Sequence, residues 1–147
     1  MNDIPVIQFA KLSGFSPIIT TASASNEALL KSLGATHVLD RHAVPLSALA
    51  EQVKTITSEP IKIVFDTISL LETQNAAYDI LASGGIFLVL LPFCVEESKR
   101  TDSKELVEVF GNVHVPNQRE VGVSLYKKLT ELLASGDIKV RRDNARE

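Results

Sequence analysis

Residues 61–92 read IKIVFDTISLLETQNAAYDILASGGIFLVLLP, and the order of apolar runs within them decides the fold. IKIVFD is a short run rich in β-branched and aromatic residues, the composition of a strand. Ala76, Ala77, Ile80 and Leu81 then recur at spacings that share one face of a helix, and Gly84 with Gly85 supplies its stop. IFLVLL is apolar at every position, as expected of a strand covered on both faces in a parallel sheet. A strand, a helix and a buried strand in succession place the chain in the α/β class.

The same alternation continues in both directions. Upstream, PIITTA and THVLD are short β-rich runs separated by a helix carrying Leu29, Leu30 and Leu33 on one face. Ser25 or Asn26 is expected to cap that helix and Gly34 to end it. Leu46, Leu49, Ala50, Val53 and Ile56 repeat the helical spacing before IKIVFD. Downstream, LVEVFGN is ambiguous by periodicity. Asn117 followed by Glu120 reads as a capping box for a long last helix with Val121, Leu125, Leu129, Leu132 and Leu133 as its face.

Composition sets the outer limits. At 147 residues and 45% hydrophobic, the chain can bury one sizeable core. A net charge of −3 offers no basic field to nucleic acid, and the basic run KVRR near the end reads as solvated. IFLVLLPFCV is too short to span a membrane and contains a proline. With no signal peptide in view, a cytoplasmic protein is expected. Cys94 is the lone cysteine, which excludes an internal disulfide.

Several segments together carry a family resemblance: FAKLSGFSPIITTAS, LLKSLGATHVLD, IKIVFDTIS, the SGG turn into IFLVLLP, and FGNVHVPNQREVGVSLYKKLTELLASGDIK. They resemble the nucleotide-binding half of the zinc-independent medium-chain dehydrogenase/reductases, in the branch of quinone-oxidoreductase-like proteins and fungal trans-acting enoyl reductases. The resemblance implies a Rossmann-like three-layer fold whose mainly parallel sheet lacks the usual first strand, because the sequence joins the pattern at the helix VIQFAKLSGF and its first glycine is Gly14. It implies LVEVF as an edge strand. The expected unit is a single truncated domain over residues 1–147, with 139–147 a flexible tail.

In the complete fold the strand order is 3-2-1-4-5-6, so the missing strand is central and its neighbours keep unpaired backbone at the join. Closure of the gap, with PIITTA moved against IKIVFD, is the favoured repair. A substitute strand from IPVIQF or from a second chain stays open.

The resemblance further implies an NADPH-dependent oxidoreductase of enoyl-reductase or quinone-reductase type, with weakened or lost hydride transfer. A non-redox small-molecule binder, assembly subunit or repurposed enzyme on the same scaffold is the alternative. Ser23, Ser25 and Asn26 would meet the adenosine ribose; with no acidic residue at that strand end, they favour the 2′-phosphate of NADP. Asp66 and Thr67, and then Leu91 and Pro92, fall at the carboxyl edge where such sheets bind ligands and where the family lines its nicotinamide pocket. No catalytic residue can be named. His37, His42 and His114 with a single cysteine do not make a zinc set, and no G-x-S-x-G elbow is present. A small-molecule substrate is the expected partner. A homodimer is also expected, with the region around Val109 and Phe110 or the N-terminal helix as its interface.

Overall fold

A computed structural model describes residues 3–101 and 103–140. Helix α1 spans Asp3–Leu12, so VIQF is helical and supplies no strand. Pro5 is tolerated because it lies in the first turn, where backbone N–H groups have no helical partner. The helix ends at Gly14, whose φ of 78° permits the left-handed turn, with Phe15 N–H returning to Ala10 O at 3.1 Å. Strand β1 follows at Ile19–Ala22, then a short 3-10 turn over Ala24–Asn26, helix α2 at Glu27–Leu33 and strand β2 at His37–Asp40. β1 and β2 pair in parallel, with Ile19 opposite His37 and Ala22 opposite Asp40.

The second part begins with helix α3, Leu49–Ile56, preceded by a 3-10 turn over Leu46–Ala48. Strand β3 is Ile63–Asp66, helix α4 Leu71–Ile80, strand β4 Ile86–Val89 and strand β5 Glu105–Glu108. These three strands form one parallel sheet in the order β3-β4-β5, so LVEVF contains the edge strand. Helix α5, Arg119–Ser135, closes the described fold. No helix among the described residues is long and apolar enough to cross a membrane.

The architecture is therefore α/β and parallel throughout, but the expected closure does not occur. β1-β2 and β3-β4-β5 remain two sheets with no ladder between β1 and β3. Ile18 O and Ala22 O accept bonds from the β2 side, so alternation turns the backbone of Ile19 and Thr21 to the opposite edge. Lys62 O likewise accepts from Ile86 N–H on the β4 side, which turns Ile63 and Phe65 to the open edge of β3. Ile63 is 44% exposed, unlike a residue of a central strand.

The physical reason lies in two separate cores. Ile4, Ile7, Ala22, Leu30, Leu33 and Ala35 join α1 and α2 to the first sheet. Tyr78, Leu81, Phe87, Val89 and Val95 join α4 and the β4–β5 connection to the second. Each cluster is complete on its own sheet, and no ladder joins the two across the gap.

Three further expectations change. The cap expected from Ser25 or Asn26 is not made by a side chain: Ser25 lies inside the 3-10 turn that leads directly into α2, and Asn26 holds the cap position without a side-chain bond. The capping box of Asn117 and Glu120 is absent: Asn117 sits inside the 3-10 turn Pro116–Gln118, and Gln118 holds the cap position without a side-chain bond. The expected apolar face of α5 is not buried, with Val121 69%, Leu133 41% and Leu125 36% exposed and Leu129 and Leu132 half-buried; only Gly122 of this helix is buried, under Val113. Beyond α5, Lys139 N–H donates to Gln8 Oε1 at 2.6 Å and Gln8 Nε2 donates to Lys139 O at 3.2 Å. Residues 141–147, the rest of the expected tail, lie outside the described residues.

Candidate functional site

Both sheets are parallel, so their carboxyl ends carry the loops that could bind a ligand. At the end of β1, Ser23 and Asn26 are half-buried and Ser25 is exposed. Asn26 N–H bonds to Ser23 O at 2.9 Å, which curls the loop into one turn, while the three side chains make no hydrogen bond among the described residues. The neighbouring carboxylate of Glu27 is engaged with Lys31 at 2.7 Å.

Arg41 is the residue sequence reasoning missed here. Ala22 stands opposite Asp40, so the residue after β2 is brought beside the residue after β1, and Arg41 N–H donates to Ala22 O at 2.9 Å. Arg41, an exposed residue, thus leaves β2 at the same strand edge at which the three polar residues leave β1. The signal was available in the register: the last pair of a parallel ladder places both following residues at one edge.

At the end of β3 the arrangement is different in kind. Asp66 is 7% exposed, and its Oδ1 accepts Ile68 N–H at 2.9 Å and Ser69 N–H at 3.0 Å. Thr73 Oγ1 donates to Asp66 Oδ2 at 2.7 Å. The carboxylate is therefore turned into its own loop. Thr67, half-buried, follows it in the same turn. Ser69 has φ 57°, a left-handed conformation that a non-glycine residue adopts only under local constraint. Its Oγ donates to Asp66 O at 2.8 Å and accepts Leu90 N–H at 3.0 Å, tying the β3 turn to the end of β4. Leu91, 53% exposed, and Pro92, also exposed, sit on the rim of that second edge.

The structure thus brings Asp66, Thr67, Leu91 and Pro92 to one edge and Ser23, Ser25 and Asn26 to the other. The two groups belong to separate sheets. Two concavities lie elsewhere, along α5: one of about 480 Å³ lined by Phe9, Val121, Leu125 and Leu132, and one of about 580 Å³ lined by Pro116, Arg119, Val123 and Lys127. They are grooves on an uncovered helix with few convergent polar groups, so the chemistry of the strand ends is the better guide. No group of three or more His, Cys, Asp or Glu able to hold a metal is found among the described residues.

The sequence pattern of the zinc-binding dehydrogenases matches residues 4–90, well over half of the chain. The chain belongs to that family. Trans-enoyl reductases and quinone oxidoreductases are among the proteins this chain is similar to. A trans-enoyl reductase of Gibberella fujikuroi is 26% identical over 149 aligned positions, covering 90% of this chain and 42% of the relative. The quinone oxidoreductase of Escherichia coli complexed with NADPH superposes with a TM-score of 0.75 at 22% identity, over 95% of this chain and 44% of that one. The nucleotide-binding subdomain of the enoylreductase domain of PpsC from Mycobacterium tuberculosis gives 0.67 at 19%, over 94% and 79%. The family member described here thus spans well under half the length of the trans-enoyl reductase it matches.

Proposed function

We propose that this chain is the NADPH-binding portion of an oxidoreductase of the enoyl-reductase or quinone-reductase type. The observation that carries the reading is the edge after β1. There Ser23, Ser25 and Asn26 keep their side chains unbonded, with Arg41 leaving the paired strand at the same edge and no acidic residue among 23–26. Hydroxyl and amide donors with a guanidinium suit a 2′-phosphate, whereas a carboxylate there would bind the bare ribose diol. In the same reading Thr67, Leu91 and Pro92 border the nicotinamide end, and Asp66 holds their loop from within. NADPH would supply the hydride; this chain's residues would bind and orient it.

In this proposal binding rests on the adenosine end, where the polar side chains after β1 are unbonded, with a small molecule as substrate and weakened or lost hydride transfer. A cytoplasmic homodimer is part of the proposal. Its support is the open edge of β5 with Phe110 66% exposed beside it, and sedimentation of a monomer at every concentration would remove it.

The cofactor test is titration calorimetry with NADPH and NADH. Wild type is expected to prefer NADPH, and Arg41→Ala and Asn26→Asp to lose NADPH binding more than NADH binding. Equal losses for the two cofactors would show that this edge does not read the phosphate. No binding of either would favour a non-redox protein built on the same scaffold.

A further inference from the structure

Gln74 is a completely buried polar residue, 0% exposed, and no role has yet fallen to it. It sits one turn into α4, below the β3 turn and facing the segment that leaves β4. Its carboxamide is used at both ends. Nε2 donates to Pro92 O at 3.1 Å and to Ser69 O at 3.3 Å, and Oε1 accepts Cys94 N–H at 2.8 Å.

Together with Ser69 Oγ on Leu90 N–H at 3.0 Å, side chains of the β3–α4 turn hold every second residue of the segment 90–94 by its backbone. Asn75, next on the helix, extends the same pattern by accepting Glu96 N–H at 3.0 Å. The residue held between the first two anchor points is Leu91, whose side chain is left 53% exposed on the rim.

A purely space-filling role would suit methionine or leucine equally well. A buried carboxamide is satisfied only when a carbonyl and an N–H are both presented at the right places, so it specifies one loop geometry among several of similar packing. We infer that Gln74 is the positioning residue that fixes the Leu91–Pro92 rim for the nicotinamide end of the cofactor. The inference rests on the functional reading above and assigns the residue through which that rim is built.

The test uses the full chain with Gln74→Met, nearly isosteric, and Ser69→Ala, which releases the same segment at Leu90. NADPH and 2′,5′-ADP, which carries the adenosine end alone, are titrated against each protein while amide exchange is followed at Leu90 and Cys94. Wild type should bind NADPH more tightly than 2′,5′-ADP. Gln74→Met should weaken NADPH about tenfold, the scale of one or two lost hydrogen bonds, leave 2′,5′-ADP within about twofold, and speed exchange at Cys94. Ser69→Ala should speed exchange at Leu90 and weaken NADPH in the same selective way.

Equal weakening of both ligands, or faster exchange with unchanged NADPH affinity, would overturn the inference and leave Gln74 structural. Wild type that binds both ligands equally would instead remove the nicotinamide contact itself. Wild type that binds neither would remove the NADPH reading, and each of these last two results takes the inference with it.

Discussion

The two sheets of this protein are built by different means. The β1-β2 part is held by aliphatic side chains of α1 and α2, and its carboxyl edge leaves three polar side chains unbonded. The β3-β4-β5 part packs Tyr78, Phe87 and Phe93 edge to face, with Tyr78 and Phe87 centroids 5.9 Å apart, and uses Asp66, Ser69, Thr73 and Gln74 to fix its own loops. The difference teaches that one edge leaves its polar side chains unbonded while the other turns them inward to fix its loops, which under the proposed function makes the first a binder and the second a rim. A binder needs unsatisfied donors at its surface; a platform needs its donors satisfied inside.

The sharpest way to break this comparison is through the cores. Phe87→Ala empties a fully buried site and should lower stability by about 3–5 kcal/mol. Hydrogen exchange should then quicken in β3, β4 and β5 while β1 and β2 keep their protection. Equal loss of protection in both sheets would mean a single cooperative unit and erase the distinction.

Polar deletions give the next contrast. Asp66→Ala leaves Ile68 N–H and Ser69 N–H without their acceptor and should cost about 2–3 kcal/mol in urea unfolding. Ser25→Ala, at the corresponding edge of the other sheet, should change stability by less than about 0.5 kcal/mol. Similar costs for the two would contradict the assignment of internal and external roles.

Gly34→Ala probes the first part alone. Gly34 has φ 128°, and a Cβ there would stand 2.8 Å from Lys11 Cδ and 2.9 Å from its Cβ, so α1 must shift against α2. A loss of about 1–3 kcal/mol is expected, with exchange quickened in α1 before β4.

The smallest effect concerns Lys99, whose hydrogen bond to Asp79 at 2.7 Å raises its pKa above the ordinary 10.5. A raised lysine pKa contributes stability that is fully present below the unfolded value and lost as pH rises through the folded one. Lys99→Met should therefore lower the melting temperature slightly at neutral pH, and the difference should vanish on the strongly alkaline side. A difference that grows with pH would reverse the sign of the pair.

Much of this was legible in the sequence because the signals are local. Strands β1 to β4 and helix α4 follow from apolar runs and helical spacing, and the observed elements fall on those runs, although α4 ends at Ile80, ahead of Gly84; α1 and the edge strand β5 followed from the family resemblance. The open gap was not legible, since no local pattern states how far two packed units can slide; the separate clusters around Leu30 and Phe87 decide it. The α5 face misled for a related reason: Val121 and Leu125 have the spacing of a buried stripe, but spacing says only that a face is apolar, not what covers it. At the site, the polar residues after β1 were pointed out by the family resemblance. Arg41 needed the register, and Gln74 needed its spacing to Tyr78 and Leu81, which puts a carboxamide on the buried face of α4.

The clasp between Gln8 and Lys139 has a consequence for how this unit can be linked to others. It brings the first helix and the last described residues together, so a longer polypeptide could run into the unit and out again at one corner. Such a unit can be grafted into a surface loop of another protein, or circularly permuted through a short joint, without threading either sheet.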